Sequence, residues 1–388
     1  MRMNLATTLQ FILFAVIGSV VACSPTKFGQ SQTATTLCDS SVTACTVQSQ
    51  SIDITQSFKI GSGKVDILFV NDNSASMSDI QTELAARFAG FIQILDSKSI
   101  DYRIAITTTD LASIQQKRLI QYGNGRYYLT NSDANRVQLF NQSIVRSETL
   151  TCENFIISMF DTYGTAFQSQ TDYANNYSRL CPSSDTRGIY TARLVVSENS
   201  SSFMRSDANL NVIAISNDNV RQGQTKETND TAAAFVSMMQ NSYPNKYWDF
   251  NSIIVKDNAC QQQQTLKNSS GVVVTNPYGP AISGGIGLEY ANLSNSAARD
   301  IENIVRPRGQ VLNICESNYT SHFTSMATQI SQESRMITLK CAPTAAPTVS
   351  ASGGGSVPHT WNGDKIIFQR GYEGTQVSVS YSCYTGPT

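Results

Sequence analysis

Asp72-Asn73-Ser74-Ala75-Ser76 gathers one carboxylate and two hydroxyls into a single short loop. These are hard oxygen donors, the kind that Mg²⁺ and Ca²⁺ prefer. One carboxylate leaves a divalent cation under-neutralised, so such a loop can leave a position open to an acidic group from outside. On its own D-x-S-x-S is a weak signal, because turns of this kind are common and usually cap helices. Its weight comes from what surrounds it.

Val65 to Val70 (VDILFV) is a short, nearly unbroken apolar run, as expected of a strand buried on both faces. After the loop, Ile80, Leu84, Phe88, Phe91, Ile92 and Leu95 recur at helical spacing, and Ser78 with Gln81 fits a capping box. Tyr102–Thr107 reads as a second strand, and RLIQY-GNG-RYYLT as a hairpin around Gly123-Asn124-Gly125. Val137, Phe140 and Ile144 mark a further helix. The order then repeats: helix Gly188–Val196 before strand Leu210–Ile215, helix Thr231–Met239 before strand Phe250–Val255, strand Gln310–Ile314 before helix Tyr319–Ile330. This alternation predicts an α/β fold, with a doubly wound, mostly parallel central sheet and helices on both faces. The Asp72 loop then falls at the carboxyl edge of the sheet, where open α/β sheets bind ligands. Thr107-Thr108-Thr109-Asp110 ends the second strand on the same edge. Thr109 and Asp110 could serve there as outer partners of an ion, although a solvated turn aspartate is the simpler reading of Asp110.

In this context VDILFVNDNSASM resembles the opening of von Willebrand factor A-type domains, in which D-x-S-x-S forms the metal-ion-dependent adhesion site. The resemblance covers roughly residues 64–335 and looks closest to a bacterial subgroup of secreted lipoproteins. FMRSDANLNVIAISNDN and RGQVLNICESN are similar to later segments of that subgroup. The resemblance implies two further ligand loops. For the threonine loop Thr186 fits best, in Asp185-Thr186-Arg187-Gly188 ahead of a helix; a plain helix cap is the competing reading. For the acidic loop the sequence departs from the family, because Ser216 is followed by Asn217 and only then by Asp218. Either Asp218 reaches in from one position later, or Asn217 contributes a neutral carbonyl and Asp72 is the lone carboxylate. The implied ligand set is Asp72, Ser74, Ser76, Thr186 and Asp218, with Asn217, Asp110 and Thr109 behind them. Mg²⁺ is the implied ion, with Mn²⁺ or Ca²⁺ as alternatives.

Other chemistries find little support. The chain has 388 residues, a formal net charge of −1 and only 15% charged residues, which does not make a nucleic-acid footprint. There are two histidines: His322 within a helical pattern and His359 in a Gly/Pro-rich loop. No G-x-S-x-G elbow, H-E-x-x-H or phosphate-binding glycine loop occurs. The chain therefore reads as a binder, not an enzyme.

Phe11–Ala22 is an apolar stretch after Met1-Arg2, too short to span a bilayer comfortably and suited to a secretory signal. Val20-Val21-Ala22-Cys23 resembles a bacterial lipobox, which implies lipidation at Cys23; an ordinary signal peptide is the alternative. Ser24 after that cysteine fits outer-membrane sorting. With Cys23 lipidated, Cys38, Cys45, Cys152, Cys181, Cys260, Cys315, Cys341 and Cys383 form an even set suited to disulfides in an oxidising compartment. Pairing of neighbours (38–45, 152–181, 260–315, 341–383) keeps every loop local.

The expected organisation is a signal peptide (1–22), a lipid-anchored flexible tether (23–63), the α/β domain (64–335) and a small C-terminal β module (336–388). The function that follows is that of an exported bacterial outer-membrane lipoprotein, periplasmic or surface-facing. It touches the membrane only through its lipid and binds a protein ligand that presents an exposed Asp or Glu. The alternative is a metal-independent envelope scaffold with a degenerate site.

Overall fold

The computed structural model describes residues 37–385, apart from 39–40, 48–49, 62, 111–117, 184–185, 221–226, 245, 281–283, 300–304 and 317–318. The apolar leader and Cys23 lie outside the described residues. No described helix is long and apolar enough to cross a membrane.

In chain order the elements are β1 (Ala44–Val47), β2 (Ser51–Lys59), β3 (Lys64–Asn71), α1 (Ser78–Ser97), β4 (Asp101–Thr108), β5 (Leu129–Thr130), α2 (Arg136–Ile144), α3 (Ser147–Tyr163), α4 (Thr171–Leu180) and α5 (Gly188–Ser197). They continue with β6 (Asn209–Ser216), α6 (Ala232–Ser242), β7 (Trp248–Ile254), β8 (Thr275–Asn276), β9 (Gly279–Pro280), α7 (Leu288–Asn295), β10 (Val311–Asn313) and α8 (Tyr319–Glu333). The last are β11 (Met336–Thr338), β12 (Thr348–Ala351), β13 (His359–Asn362), β14 (Lys365–Phe368) and β15 (Gln376–Tyr384).

The largest sheet runs in the order β10-β7-β6-β3-β4-β5, parallel throughout except for the antiparallel edge pair β4–β5. The fold is thus α/β, as the alternation of strands and helices anticipated. Side chains alternate across each strand. Val65, Ile67 and Phe69 of β3 enter a core with Leu84, Phe88 and Phe91 of α1 and Phe323 of α8. Leu68 and Val70 enter another with Ile189, Phe235 and Tyr290 from α5, α6 and α7. Because β3 is buried on both sides, it carries no polar alternation.

Register sets the site. Asn71 at the end of β3 lies level with Thr108 of β4 and Ile215 of β6. The next residues of these three strands, Asp72, Thr109 and Ser216, therefore emerge side by side at one edge.

Two local expectations change. Ser78 and Gln81 make no capping box; α1 has no side-chain cap, and Gln81 turns inward to the Asp72 loop. The Gly123-Asn124-Gly125 turn is closed by Tyr122 N–H to Arg126 at 2.8 Å. The segment after it, β5, pairs with β4 instead of folding back on Leu119–Gln121.

The larger change concerns residues 51–59. Two small sheets, β1-β2-β15-β12 and β11-β14-β13, share one core that contains Ile52, Ile54, Ile366, Val377 and Val379. Ser51–Lys59, expected within a flexible tether, is instead a nine-residue strand paired along its length with β15. Ile52, Ile54 and Gln56 point inward with period two. The polar Ser, Thr and Gln positions hide that pattern, and the partner strand lies at the other end of the chain. His359 also belongs to this lobe, in strand β13 and not in a loop. All four neighbour disulfides form, at Cys38–Cys45, Cys152–Cys181, Cys260–Cys315 and Cys341–Cys383.

Candidate metal and partner-binding site

Asp72 begins where β3 ends. Its backbone N–H still donates to Ile215 O at 2.9 Å, which fixes the loop to β6. The side chain is 1% exposed. Oδ1 accepts from the Ser74 N–H at 2.9 Å and, weakly, from the Thr109 hydroxyl at 3.4 Å; Oδ2 accepts from the Ser216 hydroxyl at 2.6 Å. Ser216 Oγ also lies 2.9 Å from Asp218 O. A hydroxyl has one proton, and the shorter contact to a carboxylate favours Asp72. Burial pushes the Asp72 carboxyl above its ordinary pKa, and the bonds from Ser216 and Ser74 oppose that only in part.

Ser74 supplies the most telling atom. Its Oγ is closed to solvent and has no hydrogen-bond partner, although it lies near enough to Asp72 to favour the ionised carboxylate. An orphaned buried hydroxyl costs free energy unless something fills its place. Ser76 is half-buried and accepts from Asn217 Nδ2 at 2.9 Å; the same amide reaches Gln264 Oε1 at 3.3 Å.

The Thr186 loop reaches the same place through its neighbours. Arg187 N–H donates to Thr109 O at 3.1 Å, fixing the entry to α5 beside the end of β4. Gly188 opens that helix, and a Cβ there would sit 2.2 Å from the Tyr290 hydroxyl, so only glycine fits. Asp110 is buried, not solvated. It accepts from the Ser183 hydroxyl at 2.6 Å and from its N–H at 3.2 Å, tying the Thr186 loop to β4. Asp218 differs: it is exposed, and its Oδ1 accepts from the Asn219 N–H at 2.8 Å within its own turn.

Ser74, Ser76, Thr186, Asn217 and Asp218 all line one recess of about 310 Å³. The structure therefore brings Ser74, Ser76, Thr186 and Asp218 to one recess, while Asp72 does not line it and is joined to it through the Ser74 N–H. Among the described residues no group of three His, Cys, Asp or Glu side chains converges anywhere. The donor set is one carboxylate, hydroxyls of Ser74, Ser76 and Thr186, and the Asn217 carbonyl. It suits a hard divalent cation held by few charges.

Three residues that hold the Asp72 loop carry no local signal of that role in the sequence. Ser216 lies one residue before the position where the resemblance implies an acid, and a serine ending a strand carries no signal by itself. Gln81, wholly buried, donates to Asp72 O at 2.8 Å and accepts from Arg146 N–H at 2.9 Å. Thr149 donates to Asn73 O at 2.8 Å, so the start of α3 braces the loop from its other side.

No family model matches the chain, and no curated protein matches it. Among solved structures it is similar to the open form of the pilus adhesin SpaC from Lactobacillus rhamnosus GG. Identity there is 10%, over 87% of this chain and 41% of that one, with a TM-score of 0.35. A von Willebrand factor type A protein from Catenulispora acidiphila is 12% identical over 89% of this chain and 63% of its own, with a TM-score of 0.31. Proximal thread matrix protein 1 from the mussel byssus is 11% identical over 72% and 48%, with a TM-score of 0.33. The chain thus spans less than two thirds of each of these structures. Superpositions this partial leave the fold to be read from the chain's own strand order.

Proposed function

We propose that the chain is an exported, lipid-anchored binding protein with a doubly wound von Willebrand A-type domain, and that it grips an acidic residue of a protein partner through a divalent cation at Asp72. The observation that carries this reading is the buried, unpartnered Ser74 hydroxyl beside the Asp72 carboxylate, in a loop whose Ser74 and Ser76 line one recess with Thr186. Asp72, Ser74, Ser76 and Thr186 would hold the ion, with Asn217 behind Ser76. A bound divalent cation supplies positive charge that its protein ligands neutralise only in part, which attracts a carboxylate. Ser216 and the Ser74 N–H favour the charged form of Asp72 against the effect of burial and fix its orientation, while Gln81 and Thr149 keep the loop from shifting. Among the described residues lining the recess the polar groups are hydroxyls, amides and the Asp218 carboxylate, which suit binding, the role assigned. Four disulfides and the lipobox-like leader support an envelope location, in the outer membrane and facing the periplasm or the surface.

A second reading rests on Asn217 and on Asp218, whose carboxylate closes its own turn: a metal-independent scaffold with a degenerate site. Pull-down of partners from envelope extracts, with EDTA and with Asp72→Ala, separates the two. Loss under both supports cation-dependent binding; survival under both supports the scaffold.

A further inference from the structure

The recess above the Asp72 loop is lined by two unlike sets of side chains. One is Ser74, Ser76 and Thr186; the other is Ile156 of α3 with Tyr173 and Tyr177 of α4. The aromatic set is a built structure. The Cys152–Cys181 disulfide ties α3 to the residue after α4. Tyr173 stacks on Phe155 at 5.7 Å and 17° and meets Phe167 edge-on at 5.2 Å.

A second piece continues the collar. The β8–β9 hairpin is fastened to the α3–α4 segment by Asn276 Nδ2 to Gln168 Oε1 at 2.8 Å, and Asn268 Nδ2 reaches Asp161 Oδ1 at 2.7 Å. Pro280 from this hairpin lines the recess. At the tip Tyr278 is 97% exposed, and its N–H donates to Asn276 Oδ1 at 2.8 Å, so the ring is presented by a fixed turn.

We infer that this collar selects the partner: a protruding loop or chain end whose acidic side chain is flanked by an aromatic residue, not a flat acidic surface. The inference rests on the cation-dependent reading above. A space of about 310 Å³ admits one or two side chains and their backbone, and a flat face cannot enter it. Asp218 is the one charged side chain among the described residues lining the recess, so an acid enters only against a cation at the Asp72 end. Beside Gln168 and Ser183 the lining carries Ile156, Tyr173, Tyr177 and Pro280, against which a flanking ring gains by stacking and by leaving water.

The test uses the full-length mature protein and three capped peptides in saturating Mg²⁺, read by calorimetry: acetyl-Phe-Glu-Phe-amide, acetyl-Ala-Glu-Ala-amide and acetyl-Phe-Gln-Phe-amide. The first should bind about tenfold more tightly than the second, and the third should not bind. Tyr177→Ala should bring the first peptide to the level of the second and leave the second unchanged. Equal binding of the first two by the wild-type protein overturns the inference, whether or not the variant folds. A Mg²⁺-induced rise in melting temperature, measured alongside, separates the failures. A rise without peptide discrimination sinks this inference and leaves the cation reading standing; no rise and no peptide binding sinks both.

Discussion

The Ser216 hydroxyl donates to Asp72 Oδ2 at 2.6 Å, joining the ends of β6 and β3 through the one carboxylate of the site. A charge-assisted bond of this kind contributes about 1.5–3 kcal/mol. Ser216→Ala should therefore lower stability at neutral pH by that amount, less in acid once Asp72 is protonated, and weaken Mg²⁺ binding about tenfold. Denaturant titration at two pH values, with calorimetry of Mg²⁺, checks both.

Asp72 itself should destabilise the cation-free protein at neutral pH. Its folded pKa is raised by burial, so the folded state holds the proton more tightly than the unfolded chain. Stability is then fully present below the ordinary aspartate pKa and is lost as pH rises through the folded pKa. In EDTA, Asp72→Asn should flatten that decline and melt higher than wild type at neutral pH. Melting curves across pH in EDTA would contradict this if the two proteins fell in parallel.

Gln81 braces the loop from beneath. Gln81→Ala leaves Asp72 O and Arg146 N–H without their partner. Each buried group so exposed costs about 1–3 kcal/mol. The expected readout is a lower urea midpoint together with weaker Mg²⁺ binding, and Gln81→Glu should restore neither fully.

At the opposite end of the sheet Arg205 bonds Asp66 twice, from N–H at 2.6 Å and Nε at 2.8 Å, and Asp101 at 2.7 Å. Asp66 is fully buried. Arg205→Met should cost about 3–5 kcal/mol by removing the cation bonded to that carboxyl, with Lys246 left as the remaining nearby positive charge, whereas Asp66→Asn in the same background should recover part of the loss. Equal stability of Arg205→Met and wild type would contradict the pairing.

Removal of residues before Lys64 should not be silent. It strips β2 from β15 and bares Val377 and Val379, so the truncated protein should aggregate or lose the Cys341–Cys383 lobe in proteolysis. A true tether would be lost without effect.

What the sequence disclosed follows the range of the interactions. VDILFV, the periodic helix after it and the loop between them are local, and together they put Asp72, Ser74 and Ser76 between a strand and a helix, where the structure also has them. Thr109 and Asp110 were legible as strand-end residues, but the bond from Asp110 to Ser183 joins loops far apart in the chain. Ser216 and Gln81 act by register across strands and from under the loop, which no spacing within one segment reveals. The same non-locality hid β2, whose polar-rich alternation acquires meaning only beside β15.

If Asp72, Ser74, Ser76 and Thr186 hold a divalent cation, calorimetric titration of Mg²⁺ into the mature protein should show saturable binding to one site, at or tighter than about millimolar, abolished by Asp72→Ala and weakened by Ser74→Ala. The absence of any binding of Mg²⁺, Mn²⁺ or Ca²⁺ at that concentration, or binding unchanged in Asp72→Ala, would contradict it.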